Sequence, residues 1–157
     1  MVKKLILSTF LLGATLSPAF LMAQAPQCTG KDASFLEGKV ISNLSFHDGK
    51  SRKGVELSHT IFYIEDSKTN QRYQVSIDNV YAKDYDQSHG QRIPESFSKN
   101  IKKADHVQLC GELYNGGEYG IHWVHNNCGN NNAGPTGYVI VNGGKSLTSS
   151  QEYCNLW

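Results

Sequence analysis

The side chains best suited to chemistry in this 157-residue chain lie in one short run, His122-Trp123-Val124-His125, with Cys128 just beyond. Two imidazoles so close in sequence could hold zinc or share acid–base work, provided they converge on one point. The segment reads as a β-strand, however, and strand side chains alternate between faces. His122 is then expected beside Val124, and His125 beside Ile121 and Trp123. On opposite faces the two histidines cannot share an ion unless a bulge intervenes. No catalytic residue, metal site or cofactor is therefore assigned. Cys128 could serve as a third ligand, but a disulfide competes for it. Trp123 is expected in the core, packed across a hairpin. At a barrel mouth its ring would instead stack on a base or a sugar. Tyr63, Tyr73, Tyr114, Tyr119 and Tyr138 could extend that platform, although strands favour tyrosine in any case. The candidate ligand contacts are His122, Trp123, His125 and Tyr138.

Other chemistries find less support. No G-x-S-x-G elbow is present, and Gly116-Gly117 and Gly143-Gly144 read as turns rather than phosphate cradles. A nuclease needs clustered carboxylates and phosphate-binding arginines. Here the acidic residues are scattered, and the arginines are Arg52, Arg72 and Arg92. Lys50, Arg52 and Lys53 in a first loop, with Lys99, Lys102 and Lys103 in a later connection, could make a local anion site. Solvated loops account for them equally well.

These residues need a scaffold, and the hydrophobic pattern supplies one. Gln24–Glu37 reads as an aperiodic lead-in. Gly38–Phe46 reads as a strand, followed by a polar turn at 47–54. The β-rich run Thr60-Ile61-Phe62-Tyr63-Ile64 reads as a strand covered on both faces. In Arg72–Val80, Tyr73, Val75 and Ile77 alternate with polar residues, as in a half-buried strand closing a hairpin. Tyr81–Asp105 is polar and irregular, with one or two helical turns expected over Glu95–Lys103. His106–Tyr114 alternates again, with Val107, Leu109 and Leu113 on the core side. Asn115-Gly116-Gly117 supplies a hairpin turn, Tyr119–His125 returns, and Tyr138–Val141 forms a short closing strand. Five short strands with a helical turn between the third and fourth predict an all-β fold with minor α content. The expected form is a small antiparallel barrel of the oligonucleotide/oligosaccharide-binding (OB) type, with a β-sandwich as the alternative.

The first residues address compartment. Lys3 and Lys4 precede an apolar stretch, Leu5–Leu16, and small Ala23 stands before Gln24. That order is a secretory signal peptide over residues 1–23. The apolar run, roughly 12 residues, falls short of the ~20 a membrane span requires. Removing 23 of 157 residues leaves 134, one domain: lead-in 24–37, β domain 38–144 and tail 145–157. Loss of Lys3 and Lys4 also leaves 13 basic against 14 acidic residues, too balanced to argue for nucleic acid or anionic lipid. Cys28, Cys110, Cys128 and Cys154 all follow the cut, so disulfides are expected. Four cysteines allow three pairings. Cys128–Cys154 with Cys28–Cys110 leads, because a bridge at 128–154 would tie down the tail.

Gly120-Ile121-His122-Trp123-Val124-His125, followed by Pro135-Thr136-Gly137-Tyr138, resembles the signature G-x-I-H-W-T-H-H-D…P-x-G-W/Y. That signature marks a small family of exported bacterial proteins known only as a domain of unknown function. Val75–Asn79 looks like its apolar strand ending near asparagine. Asp105–Glu112 looks like its G-D-x-V-x-F-x-G-E strand, with Ala104 in place of glycine. The resemblance runs from about Gly38 to Gly144. Val124 stands where the family has Thr, and Asn126 and Asn127 where it has His and Asp. It implies an exported, compact β-barrel-like domain and brings no activity with it. The expected function is an exported, non-catalytic binding domain, periplasmic or secreted and not membrane-inserted after cleavage. Its ligand would be a glycan, a nucleic acid or a protein. The alternative is a secreted hydrolase acting on nucleic acid or glycan through the His122/His125 region.

Overall fold

A computed structural model describes residues 24–129 and 134–157. The signal-peptide assignment (residues 1–23) lies outside the described residues. The strands are β1 (Ala33–Val40), β2 (Ser45–His47), β3 (Ser51–Arg52), β4 (Val55–Glu56), β5 (His59–Asp66), β6 (Arg72–Asp78), β7 (His106–Asn115), β8 (Tyr119–His122) and β9 (Tyr138–Val141). Two short helices, α1 (Tyr85–Ser88) and α2 (Glu95–Asn100), lie between β6 and β7.

Strands pair in the order β1-β5-β6-β8-β7, and β7 pairs back onto β1. That last pairing closes a five-stranded barrel and rules out the β-sandwich. Closure depends on β1 serving two neighbours. Its residues Ala33 to Lys39 pair with β7, while Gly38 to Val40 pair with β5. Gly38 sits in both registers, opposite Asp66 and Val107. A Cβ there would stand 2.2 Å from the Glu65 carbonyl oxygen, so only glycine lets the strands approach this closely. β2 and β9 add to β5 and β7 outside the ring.

The expected small barrel is therefore present, but it is mixed rather than antiparallel. β6 and β8 run parallel, with Val75 opposite Ile121. The long connection carrying α1 and α2 returns the chain so that these two strands point the same way. Asp78 and His122, their last residues, consequently finish at the same end of the barrel.

Period-2 patterning fills the interior. Phe62 and Ile64 of β5, Val75 and Ile77 of β6, and Val107 and Leu109 of β7 are buried, as are Val40 and Ile121. Each such side chain stabilises the fold by roughly 1.5–3 kcal/mol through burial. The connection after β6 is less polar in effect than its composition indicates. Val80, Tyr81, Ala82, Tyr85, Phe97 and Ile101 all join the core and cap one barrel end.

Several expected boundaries shift. The first strand begins at Ala33, inside the expected lead-in, and ends at Val40. Residues 41–44 then leave the strand before β2 begins. Pairing with β7, not local periodicity, extends the strand N-terminally. β8 stops at His122, three residues short of expectation. Leu113 follows the core periodicity of β7 yet is 42% exposed, because it lies near the hairpin turn at the other barrel end. The tail is part of the domain, with Thr148 and Leu156 buried.

Both expected disulfides are present, Cys28–Cys110 and Cys128–Cys154. Among the described residues, no helix is long and apolar enough to cross a membrane.

Candidate functional site

The strand-alternation expectation fails at Trp123, and that failure builds the site. Trp123 has φ of +56°, the left-handed region that costs an L-residue roughly 1–2 kcal/mol. This turn ends β8 and resets the facing of everything after it. Val124 goes fully into the core rather than beside His122, and His125 is 5% exposed. His122 instead stays on the outer face, edge-on to Tyr114 at 5.3 Å.

The strained turn is held from several sides. The Thr148 hydroxyl donates to the Val124 carbonyl (2.6 Å), and the Asn126 N–H donates to the Thr148 carbonyl (3.2 Å). The Gly137 N–H donates to the His125 carbonyl at 2.8 Å, and Asn127 Nδ2 donates to the Gly134 carbonyl at 2.7 Å. The Trp123 indole lies flat enough on the Gly134 backbone that a Cβ there would be 2.7 Å from the ring. Cys128–Cys154 then fastens this segment to the tail.

His125 lies between aromatic neighbours. Tyr81 stacks on it at 3.6 Å with rings 8° from parallel, and Trp123 lies 5.7 Å away at 23°. Tyr81 is placed by a buried polar network just after β6. Thr60 donates to Asn79 Oδ1 (2.6 Å), and Asn79 Nδ2 donates to the Ser58 hydroxyl (2.9 Å). The tail adds Trp157, across which Arg52 lays its guanidinium at 4.7 Å. Lys53 donates to the Asn155 carbonyl at 2.7 Å and so fixes the same tail.

Asp78, Tyr81, Trp123, His125, Asn127 and Trp157 together line an open, mostly apolar cavity of about 80 Å³. Asp78 engages two imidazoles there. One carboxylate oxygen accepts from His59 Nε2 at 2.6 Å, and the other lies 3.5 Å from His125 Nε2. His59 is held above the ordinary histidine value, chiefly by that hydrogen bond. His125 is pushed below it, chiefly by burial. Burial, with the Asp78 charge adding to it, pushes the Tyr81 phenol up to about 12. Two buried polar atoms at this site, Trp123 Nε1 and Asn127 Oδ1, have no hydrogen-bond partner among the described residues.

A second polar-aromatic patch adjoins on the outer face of β5, β6, β8 and β7. Gln74 Nε2 donates to the Tyr63 hydroxyl (2.9 Å) and to Glu118 (2.7 Å), while the Tyr114 hydroxyl donates to Gln74 Oε1 (2.6 Å). Arg72 covers the Tyr63 ring at 3.8 Å.

Of the four expected contacts, Trp123 and His125 come together in the cavity, and His122 lies on the adjoining patch. Tyr138 goes elsewhere. It is 5% exposed, packs with Cys110 and Ile140, and its hydroxyl donates to the Pro26 carbonyl at 2.7 Å. The expected tyrosine platform divides likewise: Tyr63 and Tyr114 share the patch, whereas Tyr73 and Tyr119 pair with each other at 6.0 Å. The cations do not gather into one anion site either. Lys99 pairs with Glu95, Lys102 donates to the Ser98 carbonyl, and Arg52 and Lys53 hold the tail. Among the described residues, no three His, Cys, Asp or Glu side chains are grouped so as to hold a metal ion.

Sequence reasoning missed Asp78, Tyr81, Asn127, Trp157 and His59 as site residues. A weak signal existed: Asp78 is an outward residue ending a half-buried strand, and Trp157 follows closely on Cys154. The chain matches no protein-family model, and no curated protein matches it closely enough to count as a relative.

Proposed function

We propose that this is an exported, non-catalytic binding domain whose ligand is taken at the Trp123 cavity and the adjoining face of β5, β6 and β8. One observation carries the proposal. The chain adopts an unfavourable backbone conformation at Trp123, and what it gains is an aromatic-walled, solvent-open cavity over Asp78. Strain retained at a packed turn points to function rather than to stability. Small barrels of this kind present ligands to the outer face of their second and third barrel strands, here β5 and β6. The titratable groups are fixed in place: His59 by its hydrogen bond to Asp78, and His125 by its Nδ1 hydrogen bond to the Asn126 carbonyl. That arrangement suits a fixed recognition surface better than a group poised to accept a substrate proton.

Export rests on the signal-like start and on the two disulfides, and the resemblance of residues 120–138 to an exported family agrees with it. Intact-mass spectrometry of exported protein should show a chain beginning at or near Gln24. Retention of Lys3 and Lys4 would defeat the proposal of export.

Binding is tested by screening the mature, disulfide-intact protein on glycan and single-stranded oligonucleotide arrays. Trp123→Ala should abolish any signal while leaving the far-ultraviolet circular dichroism spectrum intact. A secreted hydrolase is the second reading, favoured by the approach of His125 Nε2 to Asp78. Turnover of oligonucleotide or glycan that disappears in His125→Asn would establish it instead.

A further inference from the structure

We propose that the Trp123 cavity is a receptor for a protonated amine, an alkylammonium group carried on a lysine side chain or an amino sugar. This rests on the binding function proposed above and names its ligand class. The walls are aromatic on several sides, with Trp123, Trp157, Tyr81 and His125 contributing rings. Aromatic faces attract cations through their ring quadrupoles, most strongly where water is excluded. Among the described lining residues the charged side chain is Asp78, while the Arg52 guanidinium covers a face of Trp157 at 4.7 Å and leaves the cation-binding faces to Trp123, Tyr81 and His125. On the Asp78 side an anionic ligand would meet repulsion, whereas a cation there meets a carboxylate and the π-faces together.

The hydrogen-bond geometry narrows the class to a cation bearing N–H groups. His125 Nδ1 lies 2.9 Å from the Asn126 carbonyl, which can only accept, so Nδ1 carries the proton. In the neutral ring, the form that burial favours, Nε2 then presents a lone pair. It does so 3.5 Å from Asp78, another acceptor. Two acceptors thus converge on the cavity with no proton between them. A primary ammonium has three N–H donors and can satisfy both. A quaternary ammonium has none. The other Asp78 oxygen is already occupied by His59, which fixes the carboxylate. The alkyl carbons next to the ammonium would lie along the apolar walls.

Both tryptophans of the chain, Trp123 and Trp157, line this cavity. Intrinsic tryptophan fluorescence therefore reports on the site alone. The experiment titrates the mature, disulfide-intact protein at pH 8 with n-butylammonium chloride, against sodium chloride at matched ionic strength, 1-butanol and tetramethylammonium chloride. A saturable change is expected with butylammonium and none with 1-butanol. Tetramethylammonium should bind more weakly. Asp78→Asn should weaken the butylammonium response by about tenfold or more. Glu95→Gln, on α2 and outside the cavity lining, should leave it unchanged.

Nα-acetyl-lysine methylamide and glucosamine then distinguish a peptide from an amino-sugar source, and a saturable response to either supports the proposal. An equal response to 1-butanol, an unaltered response in Asp78→Asn, or no saturable response to any amine would overturn it. If N-acetylglucosamine oligomers or single-stranded oligonucleotides give a saturable signal where amines do not, the amine proposal falls and the binding function stands. If none of these probes gives one, both fall.

Discussion

The two disulfides fasten two regions of the same barrel and do different work. Cys28–Cys110 reaches into the middle of β7. Cys110 is fully buried, pairs with Phe35 and Tyr138 on its neighbouring strands, and packs with Tyr138 and Ile140. That bridge joins the lead-in to strands that hydrogen bonding already fixes. Cys128–Cys154 joins two segments without regular strand structure, the turn after β8 and the tail. It brings Trp157 within reach of Trp123 and His125. The first bridge therefore defends a fold and the second defends a site. Regular ladder pairing holds its own geometry, whereas a left-handed turn and a segment outside the ladder gain theirs from covalent help.

The largest expected effect is on the first bridge. Sequence separations of 82 and 26 residues correspond to about 4.5 and about 3.5 kcal/mol of loop-closure entropy. Cys28→Ala/Cys110→Ala should therefore show the greater loss in urea-denaturation free energy. Any protein still folded should keep its tryptophan emission wavelength. Cys128→Ala/Cys154→Ala should lose somewhat less stability, yet shift tryptophan emission and expose Trp157 to acrylamide quenching. If the two variants lost equal cavity function per folded molecule, the division of labour would be wrong.

A smaller effect concerns the strained turn. Trp123→Ala and Trp123→Gly both remove the indole, but only glycine relieves the positive φ. Trp123→Gly should be the more stable of the two by about 1 kcal/mol, read from urea midpoints at a common slope. The reverse order would mean that the left-handed turn is not a cost of the site.

The smallest effects separate two histidines that share one carboxylate. His59 has its value raised by the Asp78 hydrogen bond. Its contribution to stability is fully present below about 6.5, the unfolded value, and is lost as pH rises through the higher folded value. His125 has its value lowered by burial, so its sign is opposite. Stability is retained above about 6.5 and falls as pH drops towards the lower folded value, because the buried ring must then charge. Histidine side-chain nuclear magnetic resonance titration should place His59 above and His125 below the ordinary value. Asp78→Asn should bring His59 down. Since a rise in pH can only remove positive charge from these two histidines, amine binding should strengthen rather than weaken between pH 5.5 and 8. The Asp78 carboxylate and the His122 and His59 rings act on His125 through charge, and the Tyr81 ring stacks on it.

Much of the barrel was legible because strands advertise themselves by period-2 patterning. Phe62, Val75, Ile77, Val107 and Leu109 face inward as alternation requires. The Gly116-Gly117 turn and α2 fall where their local chemistry puts them. The cysteine pairing was also within reach, since one bridge ties down a tail and the other takes what remains.

The sequence by itself determined a β-rich chain, its inward faces and its turns, and favoured one of three disulfide pairings, all consequences of neighbours along the chain or of counting. Tertiary structure decided the parallel β6–β8 pair, the early start of β1 and the use of Trp123. Each of these is set by contacts between residues far apart in sequence. Gly134 lets the indole lie down, Thr148 and Gly137 anchor the turn, Asn79 positions Tyr81, and the 128–154 bridge delivers Trp157. A left-handed tryptophan has no local signature, because its own backbone preference opposes it. Only the surrounding contacts make that conformation the favourable one.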